Sequence, residues 1–168
     1  MFKTLKARLK NERGLTLIEL LAVVVILGII AAIAVPSIGG LIDNSKKDAH
    51  VANAQQMINS TKIAVTSDKS LIPNAGSMTI VTLKYLEDQG YIETLKDPDG
   101  NSTTYLRAGS DVTNPATTGP ANESFVAINS DSNNKLTYKV KLINSKRGVK
   151  LDTGNAVSEE DLKRSNVR

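Results

Sequence analysis

Residues 13–36 read RGLTLIELLAVVVILGIIAAIAVP, and a single acid, Glu19, stands near the start of that apolar run. From Leu20 to Ile42 the chain has 23 residues without a charge. About 20 residues of helix span a hydrocarbon core of roughly 30 Å, so this run is long enough to cross a membrane. A core helix of a small soluble protein keeps one polar face, and this run has none. In such a segment a carboxylate costs on the order of 2.5–3.5 kcal/mol at the helix centre. Something must therefore compensate Glu19.

The flanks set the orientation. The chain has 21 Lys and Arg against 17 Asp and Glu, a formal charge of +4. Lys3, Lys6, Arg8, Lys10 and Arg13 stand against the single acid Glu12 in the first 14 residues, so that segment holds the whole excess. A basic flank stays cytoplasmic, which predicts that the C-terminal part faces outward. The rest of the chain is balanced, so its net charge gives no argument for nucleic acid as a partner. There is no cysteine, which excludes disulfides, thiolate chemistry and cysteine-ligated metals.

Three processing outcomes are open on these residues. The segment could remain as an uncut single-span anchor. It could be an ordinary secretory signal, with Ala32-Ile33-Ala34 as an A-x-A site and a secreted domain starting at Val35. It could also be cut before the run, at Gly14. Only the last gives Glu19 a use. Leu15 would become the amino terminus, and its ammonium would lie four residues from Glu19 on the same helix face. The carboxylate could equally meet the terminal ammonium of a neighbouring copy. In a low dielectric a paired charge is tolerable where a lone one is not, and such pairing fixes register more than it adds stability.

A short basic leader ending in glycine, followed by Leu15-Thr16-Leu17-Ile18-Glu19-Leu20-Leu21, resembles the class III signal of type IV pilins and pseudopilins. The resemblance is strong over residues 8 to 45 and architectural beyond. It implies cleavage between Gly14 and Leu15 by a prepilin peptidase, N-methylation of Leu15, and docking through Glu19 during assembly. The family usually has Phe at the first mature position, where this chain has Leu15. The resemblance also implies partners: further copies and other pilins in a helical filament, the peptidase and methyltransferase, an assembly platform and its ATPase. The membrane holds the precursor, and the extracellular pilus or cell surface receives the product. No cofactor and no enzymatic activity are expected. A pseudopilin of a type II secretion or competence DNA-uptake apparatus is the alternative.

Gly28 and Pro36 bracket a stretch of weak helix propensity, because proline removes a hydrogen bond and glycine costs about 1 kcal/mol. They are candidate hinge residues, by resemblance to family filaments in which the matching stretch loses helical order. A simple kink is the other reading. After Gly39-Gly40 the chain turns polar but keeps a stripe at helical spacing: Ile38, Leu41, Ser45, Ala49, Ala52, Gln56 and Ile63, with Ala54, Ile58 and Val65 beside it. The expected fold class is α+β. Residues 1–14 are a leader, 15–66 one long helix, and 67–168 a head with a short helix and an antiparallel sheet.

Within the head, Ser67 to Ser77 reads as a loop. Thr79 to Gln89 reads as a short helix with Thr79 as N-cap and Gly90 at C′. Residues 108 to 124, rich in Thr, Asn, Gly and Pro, read as an exposed loop. Phe125 to Ile128 and Leu136 to Leu142 read as strands, the second alternating apolar and polar. Val149 to Asp152 closes the meander. Ser158 and Asp161 suggest a short capped helix before a frayed end.

Few residues suggest chemistry. His50, the one histidine, is expected to be solvated on the helix. Asp97-Pro98-Asp99-Gly100-Asn101 is expected to be a plain turn without metal. Asp97 and Asp99 are the candidate calcium ligands within it, because hard cations take carboxylate oxygens. Some secretion pseudopilins bind calcium near a similar turn. Lys139, Lys141, Lys146, Arg147 and Lys150, preceded by Lys135, are the candidate patch for an anionic ligand such as DNA or a wall polymer. The alternative is a solvated sheet face.

Overall fold

The computed structural model describes residues 16–100, 104–107, 109 and 111–168. The described residues form an α+β chain, with a long N-terminal helix followed by an antiparallel sheet. It divides at Ile42 and Asp43 into two units.

Helix α1 runs from Leu17 to Ser67, 51 residues, and continues through Gly28 and Pro36. Its apolar residues in the first unit are exposed, Leu17, Leu20, Val24, Leu27, Ile30 and Leu41 among them. The helix ends where Asp68 turns to extended backbone. The Asp68 carboxylate then caps the 3₁₀ turn Lys69–Leu71 by accepting from the Ser70 amide at 2.9 Å.

In the second unit α1 buries one face. His50, Ala54, Met57, Ile58, Thr61, Ala64 and Val65 are inside. Ala54, Ile58 and Val65 belong to the expected side. Of the rest of the expected stripe in this unit, Ala49 is half-buried and Ser45, Ala52, Gln56 and Ile63 are exposed. The reason is chemical. The true stripe includes Thr61 and His50, polar residues that meet their needs internally. Thr61 donates to the Met57 carbonyl at 2.9 Å, which lets its methyl group serve as core.

That face lies on a sheet of order β2-β1-β3-β4-β5, with β6 also on β4. The strands are β1 Met78–Thr82, β2 Val112–Ala116, β3 Phe125–Ser130, β4 Leu136–Ile143, β5 Gly148–Val149 and β6 Val157–Ser158. All pairings are antiparallel. Period-2 alternation sends Val81, Val126, Ile128, Val140, Leu142, Val149 and Val157 into one cluster with the helix residues. Burying each such side chain contributes about 1.5–3 kcal/mol. The opposite face carries a smaller cluster of Ile80, Phe125 and Ala127.

The structure corrects four expectations in the head. The segment from Thr79 begins as strand β1, and the helix, α2, is only Leu83–Asp88. Thr79-Ile80-Val81-Thr82 are all β-branched and suit a pleated surface. The cap is Thr82, which accepts from the Tyr85 amide at 3.2 Å. Gly90 follows α2 at φ +72°, the left-handed conformation its C′ place requires. The stretch 108–124 contains edge strand β2, whose exposed centre Thr113-Asn114-Pro115 reads like a loop, while Val112 and Ala116 at its ends are half-buried against the two clusters. Ser158 makes no side-chain cap and only a 3₁₀ turn, Glu159–Asp161, follows it. Nor does the chain fray at its end. Val167 bridges Val149, and Arg168 exchanges two backbone hydrogen bonds with Gly148, at 2.8 and 3.0 Å. Gly148 is needed there, since a Cβ would meet the Leu142 carbonyl oxygen at 2.2 Å.

Candidate functional site

Two regions carry candidate residues. The first is the start of α1. Gly14 and Leu15 lie outside the described residues. Thr16 and Glu19 form a reciprocal pair at the helix start. The Thr16 amide and hydroxyl donate to one Glu19 carboxylate oxygen at 2.8 and 2.7 Å, and the Glu19 amide donates to the Thr16 hydroxyl at 3.3 Å. This is a capping box, in which N-cap and N3 residues satisfy each other's orphan amides. In the uncut chain, then, Glu19 already has a local partner. The sequence contains the S/T-x-x-E signal for it, Thr16 to Glu19, which reading Glu19 only against a future amino terminus passes over.

Downstream, Leu17 to Ile42 offers a continuous apolar surface and no charge beyond Glu19. The helix is long and apolar enough to cross a membrane. A Cβ at Gly28 would meet nothing within 4 Å. Pro36 leaves the carbonyl four residues earlier without its helical donor.

The second region is in the head, where the Asp97–Gly100 turn meets α1 and the β4–β5 hairpin. His50 is fully buried, contrary to its expected place in solvent. Its Nε2 lies 3.1 Å from Asp99 Oδ2 and its Nδ1 lies 2.8 Å from the Tyr105 hydroxyl. Asn53 donates to that hydroxyl at 3.0 Å. The pattern places the ring proton on Nε2, facing Asp99, with Nδ1 accepting from Tyr105. Sequence could not show this, because Asp99 and Tyr105 are 49 and 55 residues away from His50.

Asn144 donates to Asp97 Oδ2 at 2.7 Å and Asp99 Oδ2 at 3.0 Å. Arg147 donates through Nε to Asp99 at 2.9 Å, through Nη2 to the same carboxylate, and through Nη1 to Asp43 of α1 at 2.6 Å. The Asn144 side-chain oxygen accepts from the Lys146 and Arg147 amides at 2.8 and 2.7 Å, holding the hairpin that presents Arg147. Nearby, Arg107 grips Glu87 of α2 through two nitrogens, at 2.7 and 2.9 Å, and also donates to the Leu95 carbonyl at 3.0 Å.

The charged groups respond as this geometry requires. Hydrogen bonding from Arg147 holds the Asp99 carboxyl well below the usual carboxylate range, against a burial that would raise it, with Asn144 and His50 adding to the effect. The same pairing raises Arg147. A depressed folded-state value contributes stability that is fully present above the unfolded carboxylate range, near pH 4, and is lost as pH falls below it. The thermal midpoint of the head should therefore drop between about pH 5 and pH 2, and Asp99→Asn should flatten that slope while lowering the midpoint at neutral pH. Equal acid slopes for variant and wild type, followed by circular dichroism, would refute this account.

The basic residues of the candidate patch do not act alike. Arg147 is consumed by Asp99 and Asp43. Lys141 is buried and donates to the Ala121 carbonyl at 2.7 Å, and burial pushes its ammonium below the usual lysine range. Lys135, Lys139 and Lys146 are exposed and Lys150 is half-buried.

Comparison with known proteins adds two findings. The family described as the prokaryotic N-terminal methylation motif matches residues 9–35. A protein of Vibrio cholerae serotype O1, the type II secretion system core protein G, is 30% identical over 110 residues, 61% of this chain and 75% of that protein. No solved structure matches the chain.

Proposed function

We propose that this chain, which belongs to the type IV pilin and pseudopilin family, is the structural subunit of a pilus or pilus-like filament, held by its first helix in the membrane and later in the filament core. The observation that carries the reading is the exposed apolar surface of Leu17 to Ile42, with Glu19 as its one charge, directly behind Gly14. Residues 1–14 are the leader, kept on the cytoplasmic side by their charge. A prepilin peptidase cuts between Gly14 and Leu15 and a methyltransferase modifies Leu15. Cleavage creates an ammonium at Leu15, one residue from the Thr16–Glu19 pair. That ammonium, in the same chain or the next, becomes the charged partner of Glu19. An assembly platform and its ATPase then extract the subunit. Gly28 and Pro36 set where the helix yields under load. The chain's own role is structural, without catalysis, and nucleic acid is a possible partner that no observation supports.

A second reading places the subunit in a type II secretion apparatus, as a pseudopilin. The likeness to the Vibrio cholerae core protein G favours it. Shearing intact cells separates the two, since a surface pilus is released and a filament beneath an outer layer is not.

The reading is tested on the amino terminus of the protein from its native cells, by intact mass and terminal sequencing. The expected chain starts at Leu15, with or without one added methyl. A start at Val35 would mean a secreted domain, and an uncut chain in cells that hold the peptidase would mean a static anchor; either overturns the proposal.

A further inference from the structure

The resemblance points to calcium near the Asp97–Gly100 turn, and His50, Asp97 and Asp99 do bring three ligand atoms within 4.8 Å of one another. The described residues do not fit that ion. Calcium takes six to eight oxygens at about 2.3–2.6 Å. Here every oxygen of the two carboxylates already accepts an N–H. Asp97 Oδ1 accepts from the Asp99 amide at 3.0 Å and Asp97 Oδ2 from Asn144 at 2.7 Å. Asp99 Oδ2 accepts from Asn144, His50 and Arg147, and Asp99 Oδ1 from Arg147. The third member of the group offers an imidazole nitrogen, which is not a hard-cation ligand. The position where positive charge is needed is taken by the guanidinium.

We propose that Arg147 is a built-in replacement for a divalent cation, so that the head closes its Asp97–Gly100 turn without metal. The exchange follows from what a guanidinium can do. It is always charged, and its planar fork meets a carboxylate with two parallel donors. Asp99, side chain 6% exposed, takes that fork, and Arg147 spans from it to Asp43. One side chain from the β4–β5 hairpin thus ties the turn to the long helix, as an ion would by collecting oxygens from several segments. A bound ion is lost when its concentration falls; a side chain is not. The consequence is a head whose order is independent of calcium supply, whichever filament it serves.

The test uses the full chain in detergent micelles, with thermal unfolding followed by tyrosine circular dichroism, since the chain has four tyrosines and no tryptophan. Wild type should unfold within about 1 °C of the same midpoint in EDTA and in millimolar calcium, whereas a resident ion would raise the midpoint by several degrees in calcium. Arg147→Ala should fall by roughly 5–10 °C in EDTA, because it leaves the buried Asp99 carboxylate without its cation, while Asp43 keeps Lys47 at 2.8 Å. Calcium should then raise the midpoint of Arg147→Ala and leave wild type unmoved, since the alanine variant frees the cation's place. Arg147→Lys, which keeps the charge but not the fork, should lie between the two and keeps the comparison usable if the alanine variant does not fold. A wild-type midpoint that drops in EDTA overturns the proposal. So does an alanine variant that ignores calcium, or a lysine variant as stable as wild type.

Discussion

With valine at Gly14, the chain is expected to stay at its full precursor length, with processed protein reduced by a factor of a hundred or more and no filaments formed. Glycine lets another protein's active site approach the backbone closely, because it has no Cβ. A β-branched side chain fills that space and is stiff at χ1. Failure to cut has a second effect. The leader keeps five basic residues, Lys3, Lys6, Arg8, Lys10 and Arg13, and each costs on the order of 2.5–3.5 kcal/mol in hydrocarbon. An uncut chain therefore cannot draw its leading end into an apolar filament core. The measurement is the intact mass of membrane-extracted protein beside the yield of sheared filaments. Normal maturation of Gly14→Val would falsify the class III assignment of the leader.

The second large effect concerns Glu19. Glu19→Ala removes a carboxylate from an apolar segment, so membrane insertion becomes easier, not harder. Precursor amount and cleavage should be unchanged, while filament yield falls at least tenfold, the equivalent of about 1.4 kcal/mol per subunit contact. Because insertion improves, a loss of filaments cannot be laid to a missing anchor. The Thr16–Glu19 capping box makes a companion variant informative. Glu19→Gln can still accept from the Thr16 amide, since glutamine serves at that position of the box, but it has no charge for an ammonium at Leu15. Loss of filaments in both variants assigns the role to charge. Wild-type yield from Glu19→Gln alone would assign it to the cap, and wild-type yield from both would end the docking role.

The sequence announces what depends on local pattern. The long apolar run, the alternation from Leu136 to Leu142 and the terminal glycine of α2 each state their structure in neighbouring residues. What is missed depends on partners far along the chain. His50 looks like a surface residue until Asp99 and Tyr105 arrive to satisfy both ring nitrogens. Arg147 reads as one of a run of bases, and only the fold brings Asp43 and Asp99 to it from 104 and 48 residues away. Strand β2 is invisible for a related reason. Its exposed centre is polar, and only the fold shows its backbone pairing with β1 and the packing of Val112 and Ala116 against the apolar clusters. The buried stripe of α1 is misplaced because small or apolar residues are weighed without asking which polar ones can satisfy themselves inside. At the helix start the signal is present, since Thr16 and Glu19 have capping spacing, and two readings of one carboxylate compete.

The pinned C-terminal segment also bears on how copies of this chain can join. A sheet with a bare edge invites another strand, and a polymer built that way is held by a continuous ladder that does not come apart subunit by subunit. One edge of this sheet carries Pro115, which has no amide to donate. Beyond β5, Asn166 and Arg168 already bond Lys150 and Gly148. Among the described residues neither edge offers an unbroken row of donors and acceptors, so the proposed filament is expected to join through side chains on the helix. Contacts of that kind form one copy at a time, with no backbone ladder shared between copies.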